Sequence, residues 1–146
     1  MPIEPGIIDA NVLAYAIDAD ASQNVASRAL LDAARHPSAR LYVTAQILCE
    51  FYSVITNPKR VATVTPPAEA VAIISDLLGL PGLHILPTPA QTIRRLLDLL
   101  RQHSVTGSAI FDLQIVATMQ ANNIDRIYTF DAGFKRFPEL TVVIPR

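Results

Sequence analysis

Four acidic residues are candidates to act together although they lie far apart in the chain. Asp9 and Asp131 come at or just after the ends of short apolar runs, whereas Glu50 and Asp112 lie in segments of helical periodicity, on the apolar side. A carboxylate on a face that points to the core is costly to desolvate unless it is paired or binds a metal. No lysine or arginine lies three or four positions from Glu50 or Asp112, so neither acid has a partner within its own helix.

A cluster of carboxylates repels itself, and a divalent cation is the simplest relief. Oxygen ligands without histidine or cysteine favour Mg²⁺ or Mn²⁺. Such a centre suits the hydrolysis of phosphodiesters, because a bound metal ion activates a water and stabilises the leaving oxygen. Each acid taken alone is also compatible with a helix cap, a turn or the surface. The prediction of a metal centre therefore depends on all four lying at one place.

The elements that must position these acids form an alternating pattern. Short β-branched runs alternate with longer helical segments, which indicates βαβ units and a parallel sheet. Strands are predicted over 6–8, 41–43, 83–86, 126–129 and 141–144, and helices over 11–17, 22–36, 44–56, 65–79, 88–102 and 108–122. The predicted fold class is α/β, a three-layer α/β/α sandwich with a central, mainly parallel sheet. Because ligands bind outside the carboxyl ends of such strands, the acids are expected at that edge.

Local signals make further predictions about the helices. Ser22 and Thr44 are candidate N-caps, and Thr88-Pro89-Ala90-Gln91 has the form of a capping box that would open the fifth helix. The buried face of that helix is predicted from its apolar stripe at 93, 96, 97 and 100. Cys49, the single cysteine, is predicted to be a small core residue.

Length and composition limit the class of protein. The 146 residues fit one domain spanning 1–146, and 51% hydrophobic residues exclude a disordered chain. Twelve basic and thirteen acidic residues exclude a globally basic nucleic-acid coat. No apolar run approaches the ~20 residues of a membrane span, the start lacks the basic region of a signal peptide, and one cysteine excludes a disulfide framework. A cytoplasmic protein without membrane contact is expected.

Four stretches of the sequence resemble the PIN domain, in particular the VapC-type toxins of bacterial toxin–antitoxin pairs. They are IIDANVLAYAID, ILCEFYSVITNP, IFDLQIVATMQANNIDRIYTFDAGFKRF and the closing VVIP. The resemblance covers nearly the whole chain, and the order and spacing of the four acids match. It implies a PIN-like fold and a Mg²⁺- or Mn²⁺-dependent endoribonuclease that forms a homodimer and is inhibited by a cognate antitoxin.

The resemblance also implies roles for individual residues. The four acids would be both the catalytic residues and the metal ligands, and we call them the acidic quartet: Asp9, Glu50, Asp112 and Asp131. Asn11 and Thr129 match the polar residues that support the first and last acids. Independently of the resemblance, Lys135 and Arg136 follow Asp131 within about one turn, and we expect them to contact the phosphate backbone of RNA.

Two other classes of function remain open at this point. One is a non-catalytic PIN-like module that binds RNA, against which the intact acids argue. The other is a phosphotransfer domain that uses an aspartate at a strand end. Phosphatases of the haloacid dehalogenase type need Asp-x-Asp, whereas Asp9-Ala10-Asn11 lacks the second acid, and no lysine ends a later strand as receivers require.

Overall fold

A computed structural model describes residues 2–146 as helices packed on one parallel sheet. The strands are β1 Gly6–Ile8, β2 Leu41–Val43, β3 Leu83–Ile85, β4 Arg126–Tyr128 and β5 Thr141–Val143. They lie in the order β3-β2-β1-β4-β5, and every pairing is parallel. Ile7 of the central strand lies opposite Tyr42 on one side and Ile127 on the other. The carboxyl ends of all five strands therefore meet at one edge.

In the described part of the chain, six α-helices connect and cover these strands. They are α1 Ala10–Ala16, α2 Asn24–Ala33, α3 Ala45–Ile55, α4 Pro67–Leu78, α5 Thr92–His103 and α6 Ile110–Ala121, with short 3₁₀ segments at Gly107–Ala109 and Ala132–Arg136. The predicted α/β fold with a parallel sheet is confirmed. None of the helices within residues 2–146 combines the length and the apolar character needed to cross a bilayer.

The core is built around β1, which is buried along its whole length because it lies in the middle of the sheet. One close approach between backbones fixes the chain before β3. A Cβ at Gly82 would lie 2.4 Å from the carbonyl oxygen of His36 and 2.8 Å from that of Ala34, so only glycine fits there. The Gly82 N–H donates to the Ala34 carbonyl at 2.7 Å, which ties this turn to the end of α2.

Of the three predicted helix caps, one is confirmed and two are wrong. Thr44 caps α3, and its hydroxyl accepts from the Ile47 N–H at 3.1 Å. Ser22 does not cap α2, which begins at Asn24; the Asn24 side chain donates instead to the carbonyl oxygens that end α1. The sequence around Thr88 does not open α5, which begins at Thr92 without a side-chain cap.

The predicted buried face of α5 is also wrong in part. Ile93 and Leu97 are exposed, whereas Thr92 and Leu99 are buried. The reason is that α5 packs mainly against one neighbour, α6, so only a narrow stripe of the helix is covered. Cys49 lies on the exposed side of α3 and is not a core residue.

Candidate metal and catalytic centre

Asp9 is the most firmly held member of the acidic quartet. It lies at the point where β1 ends and α1 begins, and its Oδ1 accepts from the Ala10 N–H at 2.8 Å. Its Oδ2 accepts from the Thr129 hydroxyl at 2.8 Å and from the Asn11 side-chain amide at 3.2 Å. Only 6% of the residue is exposed. These contacts fix the orientation of a buried carboxylate at the carboxyl edge of the sheet.

Asn11 and Thr129 join the ends of β1 and β4. The Asn11 amide donates to the Thr129 hydroxyl at 3.1 Å, and its carbonyl oxygen accepts from the Phe130 N–H at 3.1 Å. The Thr129 hydroxyl also accepts from the Asp131 N–H at 3.0 Å. Since Thr129 is fully buried, its hydroxyl connects Asp9 to the backbone of Asp131 without exposure to solvent.

Glu50 and Asp131 are oriented by contacts close to them in sequence. Glu50 lies in the middle of α3, where its Oε1 accepts from the Gln46 side-chain amide at 2.9 Å. The same amide donates to the Phe111 carbonyl at 2.9 Å and so joins α3 to the first turn of α6. Asp131 begins the 3₁₀ segment that follows β4, and its Oδ1 accepts from the Gly133 N–H at 2.8 Å.

Asp112, in the first turn of α6, has a basic neighbour from another element. Its Oδ2 lies 3.5 Å from Nη2 of Arg136. That guanidinium is held mainly elsewhere, since Nη1 donates to the Gly133 carbonyl at 3.0 Å and the group lies 4.6 Å from the centre of the Phe137 ring. Arg136 is therefore positioned beside the quartet by its own segment. It offsets only part of the charge on Asp112.

All four acids of the quartet line one cleft of about 930 Å³. Burial raises the pKa of Asp9, and the charges of Asp112 and Asp131 raise it further, against the hydrogen bonds from Thr129 and Ala10. Burial and the charges of Asp9 and Asp112 likewise raise the pKa of Glu50. The pKa of Asp112 is raised by burial and then by Asp131, against the opposing charge of Arg136. Each of these three carboxyls is thus affected by the charge of another acid of the quartet.

The donor set fits a hard divalent cation in kind, because it consists of carboxylate oxygens that repel one another. Within residues 2–146, however, no three His, Cys, Asp or Glu side chains form a group that could hold a metal ion. Asp9 is locked by three hydrogen bonds, whereas the carboxylates of Glu50 and Asp112 are only about half buried. The quartet thus fits a divalent cation by the chemistry of its oxygen atoms, not by an arrangement of ligands already present.

The structure separates the two basic residues that the sequence placed together. Arg136 lies beside Asp112, as described above. Lys135 lines a different cleft, next to Tyr128 and the end of β5, and so lies apart from the quartet. The contact of Gln46 with Glu50 was not predicted, although its spacing of four residues was a usable signal. The contact of Arg136 with Asp112 had no local signal, because 24 residues separate the two.

The parallel sheet and the acid-lined cleft at its carboxyl edge define an α/β protein with a candidate catalytic centre. Comparison with protein families gives a match to the PIN domain over residues 7–140. The chain belongs to the PIN-domain family.

Relatives in sequence cover nearly the same length as this chain. Ribonuclease VapC43 of Mycobacterium tuberculosis is 28% identical over 133 residues, which are 91% of this chain and 90% of that protein. Ribonuclease VapC13 of the same organism is 24% identical over 132 residues, which are 90% of this chain and 94% of that protein.

Solved structures show the same fold. The chain is similar to M. tuberculosis VapC20, a toxin that cleaves the sarcin-ricin loop, with a TM-score of 0.70, 17% identity and coverage of 95% of this chain and 98% of that chain. It is also similar to Rickettsia felis VapBC2 bound to a DNA fragment from its promoter, with a TM-score of 0.68, 19% identity and coverage of 96% and 98%. A toxin–antitoxin complex from Klebsiella pneumoniae gives a TM-score of 0.62 at 15% identity, with coverage of 97% and 98%.

Proposed function

We propose that this protein is a Mg²⁺- or Mn²⁺-dependent endoribonuclease and the toxin of a toxin–antitoxin pair. The observation that carries the proposal is the convergence of the acidic quartet in one cleft, where burial and mutual repulsion raise the pKa of Asp9, Glu50 and Asp112. Membership of the PIN-domain family and relatives that are named VapC ribonucleases support it.

Each residue of the site would have a distinct role in RNA cleavage. The quartet would hold the cation, which when bound supplies a Lewis acid for the phosphate and lowers the pKa of a water. Asn11 and Thr129 orient Asp9 through their hydrogen bonds, and the one from Thr129 opposes the rise in the pKa of Asp9 that burial causes. Arg136, whose guanidinium is held beside Asp112, would attract the phosphate of the RNA backbone.

The proposed partners are RNA as substrate, a cognate antitoxin and a second copy of the chain in a homodimer. Structural neighbours that are toxin–antitoxin assemblies support the antitoxin. The dimer is proposed from the resemblance to VapC-type toxins, and the cytoplasmic location from the single cysteine and the lack of an apolar run long enough to span a membrane. Sedimentation of the purified protein with and without its antitoxin measures both assemblies directly.

Cleavage of RNA by variants of the quartet tests the proposal. Asp9→Asn and Asp112→Asn should lower the rate of cleavage with Mg²⁺ or Mn²⁺ on the order of 100-fold or more, since each removes a charge that the cation needs. Asp98→Asn is the matched control, because Asp98 is an exposed acid on α5 that pairs with Arg101 outside the cleft. If the quartet variants cleave as fast as the wild type, the protein is not this nuclease.

A further inference from the structure

The cleft that contains the quartet extends well beyond it. Its more distant walls are formed by the turn 17–21 after α1 and by the loop 60–65 between α3 and α4. The side chains around it are strongly acidic, since Asp18, Asp20 and Glu69 line it in addition to the quartet. Among the lining residues of the described chain, the one basic residue is Arg60.

The loop that carries Arg60 is fixed at both ends. The Thr65 N–H donates to the Ile55 carbonyl at 2.8 Å and closes the loop onto the end of α3. At the other end, the Asn57 carbonyl accepts from the N–H groups of Arg60 and Val61 at 2.9 and 3.2 Å. The backbone therefore holds Arg60 at a defined place in the cleft wall.

Lys59 and Arg60 are adjacent and carry the same charge, but they have different surroundings. Both are exposed, and only Arg60 lines the cleft. The two residues also differ in their backbone contacts, since the Lys59 N–H donates to the Asn57 side chain at 3.0 Å whereas the Arg60 N–H donates to the Asn57 carbonyl. None of the ion pairs found in residues 2–146 includes Arg60. Its guanidinium is thus available to a ligand.

We infer that Arg60 is a second phosphate-binding residue, in addition to Arg136, which positions the RNA strand in the cleft. The inference rests on the proposed function, because it takes RNA as the occupant of the cleft. An RNA strand that presents one phosphate to the quartet places its neighbouring phosphates along the cleft, where the other lining charges repel them. A guanidinium there offers bidentate hydrogen bonds to a phosphate and offsets this repulsion.

Equilibrium binding of single-stranded RNA tests the inference without relying on cleavage. Fluorescence anisotropy of a labelled RNA of mixed sequence, in EDTA and over a series of salt concentrations, would compare the wild type with Arg60→Gln and Lys59→Gln. Each phosphate contact on a single strand contributes about 0.7 to the slope of log K against log salt concentration. Arg60→Gln should reduce the slope by about 0.7 and weaken binding about five-fold at 0.1 M salt. Lys59→Gln should change neither.

Steady-state kinetics with Mg²⁺ give a second readout. Arg60→Gln should raise KM with kcat nearly unchanged, because the contact holds the strand and does not touch the reacting phosphate. Equal effects of Arg60→Gln and Lys59→Gln would overturn the inference, as would a lower melting temperature of Arg60→Gln with an unchanged salt slope. Those results leave the proposed nuclease intact as long as Asp112→Asn abolishes cleavage. Full activity of Asp112→Asn would instead remove the proposed function.

Discussion

Thr129→Val removes the hydrogen bond that supports the Asp9 carboxylate and leaves the carboxylate itself in place. The Thr129 hydroxyl makes three contacts: it donates to Asp9 at 2.8 Å and accepts from Asn11 at 3.1 Å and from the Asp131 N–H at 3.0 Å. Valine has nearly the same shape, so the fully buried site should not gain a cavity. The loss of free energy therefore comes from hydrogen bonds that are no longer made.

The magnitude follows from these contacts. A hydrogen bond to a charged group is worth about 1.5–3 kcal/mol, whereas the Asn11 amide can still donate to Asp9. We expect the free energy of unfolding to fall by about 2–3 kcal/mol at pH 7, which for a chain of this size lowers the melting temperature by roughly 4–12 °C. The loss should shrink in acid, because the hydrogen bond from Thr129 favours the charged form of Asp9 and holds its pKa down against burial.

Urea unfolding in EDTA at pH 7 and pH 4 would measure this loss, with Thr118→Val as the control. Thr118 is as well buried, but its hydroxyl donates only to the Gln114 carbonyl within α6, so its replacement should cost about 1 kcal/mol or less at either pH. A loss for Thr129→Val that is no larger than that of Thr118→Val, or that does not depend on pH, would refute the argument that Thr129 supports a charged Asp9.

Three further predictions concern the quartet, its basic neighbour and the fold. Burial and neighbouring charges raise the pKa of Glu50, so the protonated form stabilises the folded metal-free protein below pH ~4, and this stability is lost as the pH rises through the raised pKa. Glu50→Gln should therefore raise the melting temperature by roughly 2–4 °C at pH 7 and hardly at all at pH 4. An equal shift at both pH values would contradict this. Arg136→Gln should slow RNA cleavage about ten-fold. It should also raise the pKa of Asp112, because the guanidinium lowers that pKa in the wild type, and carboxyl NMR titration would detect the shift. An unchanged pKa of Asp112 would show that its 3.5 Å contact with Arg136 does not form in solution. Gly82→Ala should cost about 3 kcal/mol or more in urea unfolding, since its Cβ would lie 2.4 Å from the carbonyl oxygen of His36; a near-neutral result would mean that the turn relaxes.

The positions of Asp9 and Asp131 relative to the sheet could be predicted because they depend on short-range patterns. Both acids follow apolar β-branched runs, and the alternation of such runs with helical segments predicts parallel strands whose carboxyl ends coincide. The faces of Glu50 and Asp112 on their helices follow from periodicity in the same way. No local pattern contains the order of the strands, which depends on how the connections cross the sheet.

The errors lie where tertiary contacts replace local ones. Ser22 and Thr88 have the chemistry of caps, but Asn24 closes the turn after α1 through its amide, and α5 begins where it can pack on α6. The apolar stripe of α5 predicts that Ile93 is buried, but Ile93 is exposed because α5 is covered on a narrower face than the stripe requires. Arg136 reaches Asp112 only because the 3₁₀ segment after β4 turns back towards α6, which periodicity cannot indicate.

Calorimetric titration of the metal-free protein with Mn²⁺ at pH 7 measures directly whether the acidic quartet binds a divalent cation as one site. We expect saturable binding by the wild type and by Asp98→Asn, and its loss in both Asp9→Asn and Asp112→Asn. Absence of binding by the wild type would contradict the proposed metal site, as would binding by Asp9→Asn and Asp112→Asn that is as tight as that of the wild type.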